Sequence, residues 1–206
     1  MGETKEFNVL VAGVGGQGNV LAAHVIAEAA MLEGFRVRVG ETFGMSQKGG
    51  AVVSHVRIGS EVFSPLVPSR MGDLIIGLEP IETLRVAVDY SSPQCSIFFN
   101  TIPSIPVSVN VGKCPYPSVD AIVAILKQLG KNVAATDALS LAKETGQPRT
   151  LNMVMLGFSV GSNIFAIASG TFRRAIKNVV KPKWVESNVR AFEVGEKAFS
   201  DRSARN

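Results

Sequence analysis

Cysteine is scarce in this chain of 206 residues. There are two, Cys95 and Cys114, and neither belongs to a Cys-x-x-Cys pair. An iron–sulfur cluster is usually held by four thiolates, and a structural zinc site has similar needs, so the sequence predicts neither a cluster nor a metal site in this chain. Free thiols are typical of a reducing compartment, and we expect a cytoplasmic protein.

Long apolar runs are also missing. Gly, Ser or Asn interrupts every apolar stretch well short of the ~20 residues of a membrane helix. Residues 1–7 contain no signal-peptide core, and we expect no membrane association. Even so, 46% of the residues are hydrophobic and 18% are charged. That balance favours a sheet buried on both faces or a surface covered by a partner. The length suits a single domain over 1–206.

Acidic residues are absent from one basic segment, 173–183, which contains five cations in a chain of net charge +4. One interpretation is a solvated helix face. The other is a contact surface for an acidic partner or an anionic ligand. Nucleic acid is not expected, because no recognised binding motif or array of stacking aromatics accompanies the charge.

Glycine, in contrast, is abundant and concentrated after the first apolar run. Residues 7–12 predict a strand, 13–18 read Gly-Val-Gly-Gly-Gln-Gly, and apolar positions at helical spacing follow. Strand, glycine turn and helix in this order form a phosphate cradle, because glycines let the backbone approach an anion that faces the helix N-terminus. A tight turn without a ligand is the alternative. Glu41 lies near the place of the acidic residue of dinucleotide sites, but its surroundings are unlike an adenosine pocket, so we expect a phosphate-bearing ligand or none.

A second glycine-bearing motif spans 41–50. It follows the predicted second strand, and loops at the carboxyl edge of an open α/β sheet bind ligands. Lys48 offers a point charge, while Ser46 and Gln47 offer hydrogen bonds. A shaped turn whose glycines serve geometry alone is the alternative.

Strands alternate with helices along the chain. This order predicts an α/β fold with a doubly wound, mostly parallel, Rossmann-like sheet that carries helices on both faces. The proline-rich segment 101–117 predicts a small edge-strand excursion. The predicted strands are 7–12, 35–39, 51–58, 73–78, 95–100 and 132–135, and the predicted helices are 18–33, 79–87, 119–130, 137–145, 152–167 and 183–199.

Two histidines and one apolar segment have open interpretations. We expect His24 to be a core residue on the apolar face of its helix, and His55 to be a packed strand residue. The alternative for His55 is a side chain that reaches the ligand-binding edge of the sheet. No residue is assigned as a catalytic base or nucleophile. The apolar segment 151–168 is either a subunit interface or a helix buried within the chain.

Several separate motifs share one resemblance. Residues 13–18, 41–50 and 54–57, together with 152–157 and 186–195, resemble the gamma-type domain of 2-oxoacid:ferredoxin oxidoreductases. The Met-Ser-Gln-Lys-Gly-Gly sequence of the second motif and the following His-Val-Arg are similar to the indolepyruvate branch of that family. The resemblance runs over nearly the whole chain.

The resemblance implies a reaction divided between two chains. An aryl pyruvate is decarboxylated on thiamine diphosphate, its electrons pass through [4Fe–4S] clusters to ferredoxin, and coenzyme A accepts the acyl group. The chain lacks the Gly-Asp-Gly and downstream Asn of thiamine sites, so thiamine diphosphate, Mg²⁺ and the clusters are expected on a partner alpha subunit. The residues expected near coenzyme A are Gly13, Gly15, Gly16, Gln17, Gly18, Glu41, Ser46, Gln47, Lys48, Gly49 and Gly50.

Two other classes of protein stay open. One is a stand-alone NAD(P)-binding oxidoreductase of Rossmann type. The other is a non-catalytic scaffold subunit whose glycine turn only connects a strand to a helix.

Overall fold

The computed structural model describes residues 6–44, 49–104 and 116–204, which form a central sheet flanked by helices. Two 3₁₀ turns, Pro148–Thr150 and Pro182–Trp184, precede the fifth and seventh helices. The strands are β1 Phe7–Val14, β2 Val37–Phe43, β3 Ala51–Ile58, β4 Gly72–Gly77, β5 Ser91–Asn100 and β6 Asn132–Thr136. The helices are α1 Asn19–Leu32, α2 Pro80–Tyr90, α3 Val119–Leu129, α4 Ala138–Glu144, α5 Leu151–Gly161, α6 Ser169–Val179 and α7 Val185–Ser203.

The strands lie in the order β2-β3-β1-β4-β5-β6. The neighbours β1, β4, β5 and β6 are parallel, whereas β3 is antiparallel to both β1 and β2. The connection 44–50 is too short for a parallel crossover, which takes about a dozen residues, so β3 returns as a hairpin. The predicted mostly parallel α/β sheet is confirmed, with β3 as the antiparallel exception.

Helices cover both faces of the sheet, as predicted. Val9 and Val11 of β1 belong to the larger core cluster, which they share with α1, α5, α6 and α7. The alternate residues Leu10 and Ala12 point into a second cluster with α2 and α3. The alternation of side chains along a strand therefore buries β1 on both sides and makes it the centre of the fold.

The predicted helix 152–167 is shorter than expected and lies inside the chain. It is α5, and it ends at Gly161; the residues from Leu151 to Val160 are all buried. A Cβ on Gly157 would stand 1.9 Å from the carbonyl oxygen of Phe192, and one on Gly195 would stand 2.0 Å from that of Val154. The glycines let α5 and α7 pack backbone to backbone, so residues 151–160 form a helix buried within the chain, the second of the two interpretations of this segment.

The basic segment 173–183 lies on α6, a helix missing from the predicted elements, and on the 3₁₀ turn after it. Phe172 and Ile176 are buried, whereas Arg174 and Lys177 are exposed, as expected of a solvated helix face. The prediction missed α6, although Phe172, Ile176 and Val179 recur at helical spacing and were a usable signal. None of the helices in the described ranges is both long and apolar enough to cross a membrane. Most of the predicted edge-strand excursion, residues 105–115 of the segment 101–117, lies outside the described residues.

Candidate functional site

The glycine turn follows β1 at the carboxyl edge of the sheet, as the sequence predicts. Gly16 and Gly18 have positive φ angles of 102° and 86°, a region that residues with a Cβ rarely adopt. Gly16 is exposed, and α1 begins at Asn19 with no side-chain cap. The first N–H groups of a helix lack partners within it and attract anions. The turn therefore presents a short stretch of bare backbone to the edge of the sheet.

Gln17 holds the turn onto the sheet. Its Oε1 accepts a hydrogen bond from the N–H of Val14 at 2.9 Å, and its Nε2 donates to the carbonyl of Leu78 at 3.2 Å. A Cβ on Gly13 would stand 2.6 Å from that Oε1. Gly13 and Gln17 thus form the turn, and both ends of the Gln17 amide are already engaged.

Asn100 continues the same network at the end of β5. Its Nδ2 donates to the carbonyls of Leu78 and Ile102, and its Oδ1 accepts from the N–H of Ala138 at the start of α4. One buried amide therefore fixes the residues that follow β4, β5 and β6. Sequence reasoning missed it, although an Asn that ends a buried apolar run was a usable signal.

Asn152 and Asn19 support the turn from the helices. Asn152 Nδ2 donates to the carbonyl of Gly18 at 3.0 Å, and a Cβ on Gly18 would stand 2.5 Å from that nitrogen. Asn152 Oδ1 is buried without a partner among the described residues. Asn19 Nδ2 donates to the carbonyl of Val52 at 3.1 Å. These amides make the turn a rigid part of the core.

The second glycine motif reaches the first at its carboxyl end. The N–H of Gly15 donates to the carbonyl of Gly50 at 2.9 Å, and Val14 pairs with Ala51. The two motifs therefore meet at Gly50. Gly49, beside it, has a φ of +74°. Ser46, Gln47 and Lys48 lie outside the described residues.

Glu41 does not follow the second strand, and that expectation is wrong. β2 continues to Phe43, and Glu41 pairs with Ser54 inside the sheet. Its Oε1 lies 3.7 Å from Nε2 of His24 on α1. β2 extends further because it pairs with β3 along its whole length.

The two histidines differ in burial. The His24 side chain is 52% exposed, so its predicted place in the core is wrong; the apolar stripe of α1 leaves it facing outward. His55 is completely buried on β3, as predicted, and its Nδ1 accepts a hydrogen bond from the N–H of Val67 at 3.2 Å. Burial lowers the pKa of His55, which favours the neutral ring.

A cavity of about 280 Å³ opens beside the glycine turn. Gly16, Asn100, Ser104 and Leu151 are among the residues that line it, and Arg149 is the one charged residue among the described residues of its lining. An arginine offers a planar fork of donors for a phosphate or carboxylate. With the N-terminus of α1 nearby, the cavity is suited to an anionic group. Sequence reasoning missed Arg149, which lies in the short 3₁₀ turn before α5 and belongs to no recognised motif.

Glu79 is a buried carboxyl group at the end of β4. Its Oε2 accepts from the N–H of Glu82, where it caps α2, and its Oε1 accepts from the hydroxyl of Tyr116 at 2.6 Å. The N–H of Ser104 is a further donor to Glu79. Burial raises the pKa of Glu79, and both burial and the Glu79 carboxyl raise the pKa of Tyr116. Glu79 thereby joins both flanks of residues 105–115 to β4.

Metal-ligating side chains are not clustered in the described ranges. There, no group of three or more His, Cys, Asp or Glu residues is arranged to hold an ion. Cys95 is buried, and burial raises the pKa of its thiol to about 12. A metal or cluster ligand is a thiolate, so Cys95 does not suit that role.

Fold and site together define an α/β domain with a rigid glycine turn at the carboxyl edge of its sheet. The chain belongs to the pyruvate ferredoxin/flavodoxin oxidoreductase family, whose model matches residues 8–198. It is 38% identical over 198 residues to the indolepyruvate oxidoreductase subunit IorB of Thermococcus kodakarensis, a match that covers 96% of this chain and 98% of the relative.

Two solved structures share the fold. The keto/oxoacid ferredoxin oxidoreductase gamma subunit of Geobacter sulfurreducens superposes with a TM-score of 0.68 at 22% identity, covering 95% of this chain and 99% of that one. The 2-oxoglutarate:ferredoxin oxidoreductase of Magnetococcus marinus, solved with 2-oxoglutarate, coenzyme A and succinyl-CoA bound, superposes with a TM-score of 0.70 at 19% identity. That match covers 97% of this chain and 32% of the longer one. The resemblance to the gamma-type domain is thus confirmed.

Proposed function

We propose that this chain is the cluster-free subunit of a thiamine-dependent 2-oxoacid:ferredoxin oxidoreductase that acts on an aryl pyruvate such as indolepyruvate. The enzyme would oxidatively decarboxylate the oxoacid to an acyl-CoA and reduce ferredoxin. The observation that carries the proposal is the 38% identity to an indolepyruvate oxidoreductase subunit across 98% of that subunit.

The thiamine diphosphate, Mg²⁺ and [4Fe–4S] clusters would belong to a partner alpha subunit. Two cysteines are too few for a cluster, and the buried Cys95 thiol does not suit one, so no step of the reaction is assigned to these groups on this chain. The Magnetococcus relative supports a partner, because there the matching region is about a third of a longer chain. We place the complex in the cytoplasm.

The role proposed for this chain is to face coenzyme A with its glycine turn. Gly15, Gly16 and Gly18, with the N-terminus of α1, would lie against its phosphates, and the loop from Ser46 to Gly50 would close the same edge. The hydrogen bond between Gly15 and Gly50 supports this arrangement, because it joins the loop to the turn. Gly13 and Gln17 would act indirectly by shaping the turn.

The test is Lys48→Ala in the reconstituted complex. Loss of one charge-assisted contact to a phosphate should raise the apparent KM for coenzyme A about tenfold, since ~1.4 kcal/mol corresponds to a factor of ten. The matched control is Lys177→Ala, which removes an exposed lysine on α6 that belongs to neither glycine motif. An unchanged KM for coenzyme A in Lys48→Ala would remove Lys48 from this role.

Two experiments separate the proposal from its alternatives. Affinity purification of this chain should recover a large, cysteine-rich, thiamine-binding polypeptide, and turnover should require both chains. A stand-alone NAD(P) oxidoreductase predicts tight NADH binding by the isolated chain in equilibrium dialysis. A scaffold predicts that Gly16→Ala leaves turnover and the KM for coenzyme A unchanged whenever the complex assembles.

A further inference from the structure

A second and larger cavity lies on the other side of Arg149. It has a volume of about 610 Å³ and forms where the first turn of α1, the 3₁₀ turn before α5 and the junction of α6 with α7 meet. Ligand sites of small molecules commonly span roughly 300–1,000 Å³. The residues that give it its character are Leu21, Pro148, Arg149, Val180, Lys181 and Trp184, and we call it the Trp184 cavity.

The walls of the Trp184 cavity combine apolar surface with positive charge. Leu21, Pro148 and Val180 are apolar. Arg149 and Lys181 are exposed, and within the described part of the chain neither takes part in an ion pair. Among the residues that the structure describes, no acidic side chain lines the cavity. Two cations beside an apolar wall are complementary to an organic anion.

Trp184 supplies a flat surface that is held in place. Trp184 is 43% exposed, although tryptophan is usually largely buried. The backbone N–H of Trp184 donates to the carbonyl of Lys181. The backbone carbonyl of Trp184 accepts from Ser187 Oγ and Asn188 Nδ2. The Nζ of Lys183 lies 5.2 Å from the ring centroid. A backbone fixed in this way avoids part of the ordering cost of binding.

We propose that the Trp184 cavity binds an aromatic anion, with its ring against Trp184 and the apolar wall, and its carboxylate or phosphate on Arg149 and Lys181. Aromatic rings gain stacking energy beyond simple burial, and Arg pairs bidentately with either anion. This chemistry is shared by aryl carboxylates and by nucleoside phosphates. The Trp184 cavity shares Pro148 and Arg149 with the cavity beside the glycine turn but does not include the turn itself. The proposal does not depend on the proposed function.

Trp184 makes the test direct, because it is the only tryptophan in the chain. The full chain is titrated with phenylacetate and with AMP while tryptophan emission is recorded. Acetate, inorganic phosphate and benzyl alcohol serve as single-feature probes that carry only the anion or only the ring. We expect a saturable change in emission with phenylacetate or AMP and a much weaker change with the single-feature probes. A response to phenylacetate alone identifies an aryl carboxylate site. A response to AMP alone identifies a nucleoside phosphate site.

Variants test which side chains hold the anion. Arg149→Gln and Lys181→Gln should each raise the dissociation constant of the aromatic anion that binds about tenfold, because each variant loses one charge-assisted contact. Lys177→Gln, which removes a neighbouring exposed cation that does not line the cavity, should bind as the wild type does. Lys181 belongs to this cavity and not to the one beside the glycine turn, so its result is independent of coenzyme A. Absence of a saturable change with both aromatic anions, or equal binding by Lys181→Gln and wild type, overturns the proposal and leaves the cavity to a protein partner.

Discussion

Asn152 donates a hydrogen bond from its Nδ2 to the carbonyl of Gly18 at 3.0 Å, across 134 positions of sequence. The contact joins the start of α5, a helix buried in the core, to the glycine turn at the carboxyl edge. It also requires a glycine at position 18, because a Cβ there would stand 2.5 Å from the donor nitrogen. The core and the candidate site are therefore coupled through this pair.

Gly18→Ala should destabilise the fold more than Gly16→Ala. Both positions have positive φ, which costs a residue with a Cβ about 1–2 kcal/mol. Only Gly18 adds a clash with Asn152, whereas a Cβ on Gly16 would meet nothing within 4 Å. Urea unfolding of the two variants checks this order. Equal losses would show that Asn152 moves aside at no cost.

Gly157→Ala should cost about 3 kcal/mol or more, because the added methyl group overpacks the interface of α5 with α7. There its Cβ would stand 1.9 Å from a backbone oxygen, which has little freedom to move. Gly170→Ala is the control, since this glycine lies in α6 with nothing within 4 Å of a Cβ. In Gly170→Ala the free energy of unfolding should stay unchanged or rise by up to about 1 kcal/mol, because alanine favours the helix more than glycine does. Thermal unfolding of both variants measures the difference, and a tolerated Gly157→Ala would contradict the close packing of the two helices.

The sequence predicted local features more successfully than distant pairings. The strand at 51–58 was found because it depends on the alternation of side chains along one short segment. The role of Asn152 was missed because its partner Gly18 is distant in sequence. His24 was misplaced for a related reason, since the apolar stripe of α1 is broad and tertiary packing decides which of its flanks faces outward.

His55 should make the fold sensitive to mild acid. Burial lowers its pKa in the folded protein, so below about pH 6.5, the usual value for histidine, the unfolded chain takes up the proton first. The unfolded state then binds more protons, and stability falls as the pH falls from that value towards the folded-state pKa.

His55→Asn, which keeps an acceptor for the N–H of Val67, should flatten this part of the stability profile. Urea titrations across the range measure it, with His24→Gln as the control that should retain the loss because His55 is intact. An unchanged profile in His55→Asn would assign the acid sensitivity to another group.

Tyr116→Phe should destabilise the protein most where Glu79 is ionised. The variant removes the hydroxyl donor to a buried carboxylate, a loss of about 1–3 kcal/mol when the acceptor carries a charge. Burial already raises the pKa of Glu79 above 4.5, and the Tyr116 hydrogen bond opposes that shift. Without this hydrogen bond Glu79 of the folded protein binds its proton at still higher pH. The stability deficit relative to wild type should therefore grow as the pH rises and shrink as acid protonates Glu79.

Tyr90→Phe is the control, because Tyr90 is the other tyrosine of the chain and its ring packs on His55. No hydrogen bond of its hydroxyl group to the described residues is found. Urea unfolding of both variants at neutral pH and near pH 4.5 measures the two deficits. A deficit in Tyr116→Phe that does not change with pH would show that the hydroxyl group acts through packing and not through the charge of Glu79.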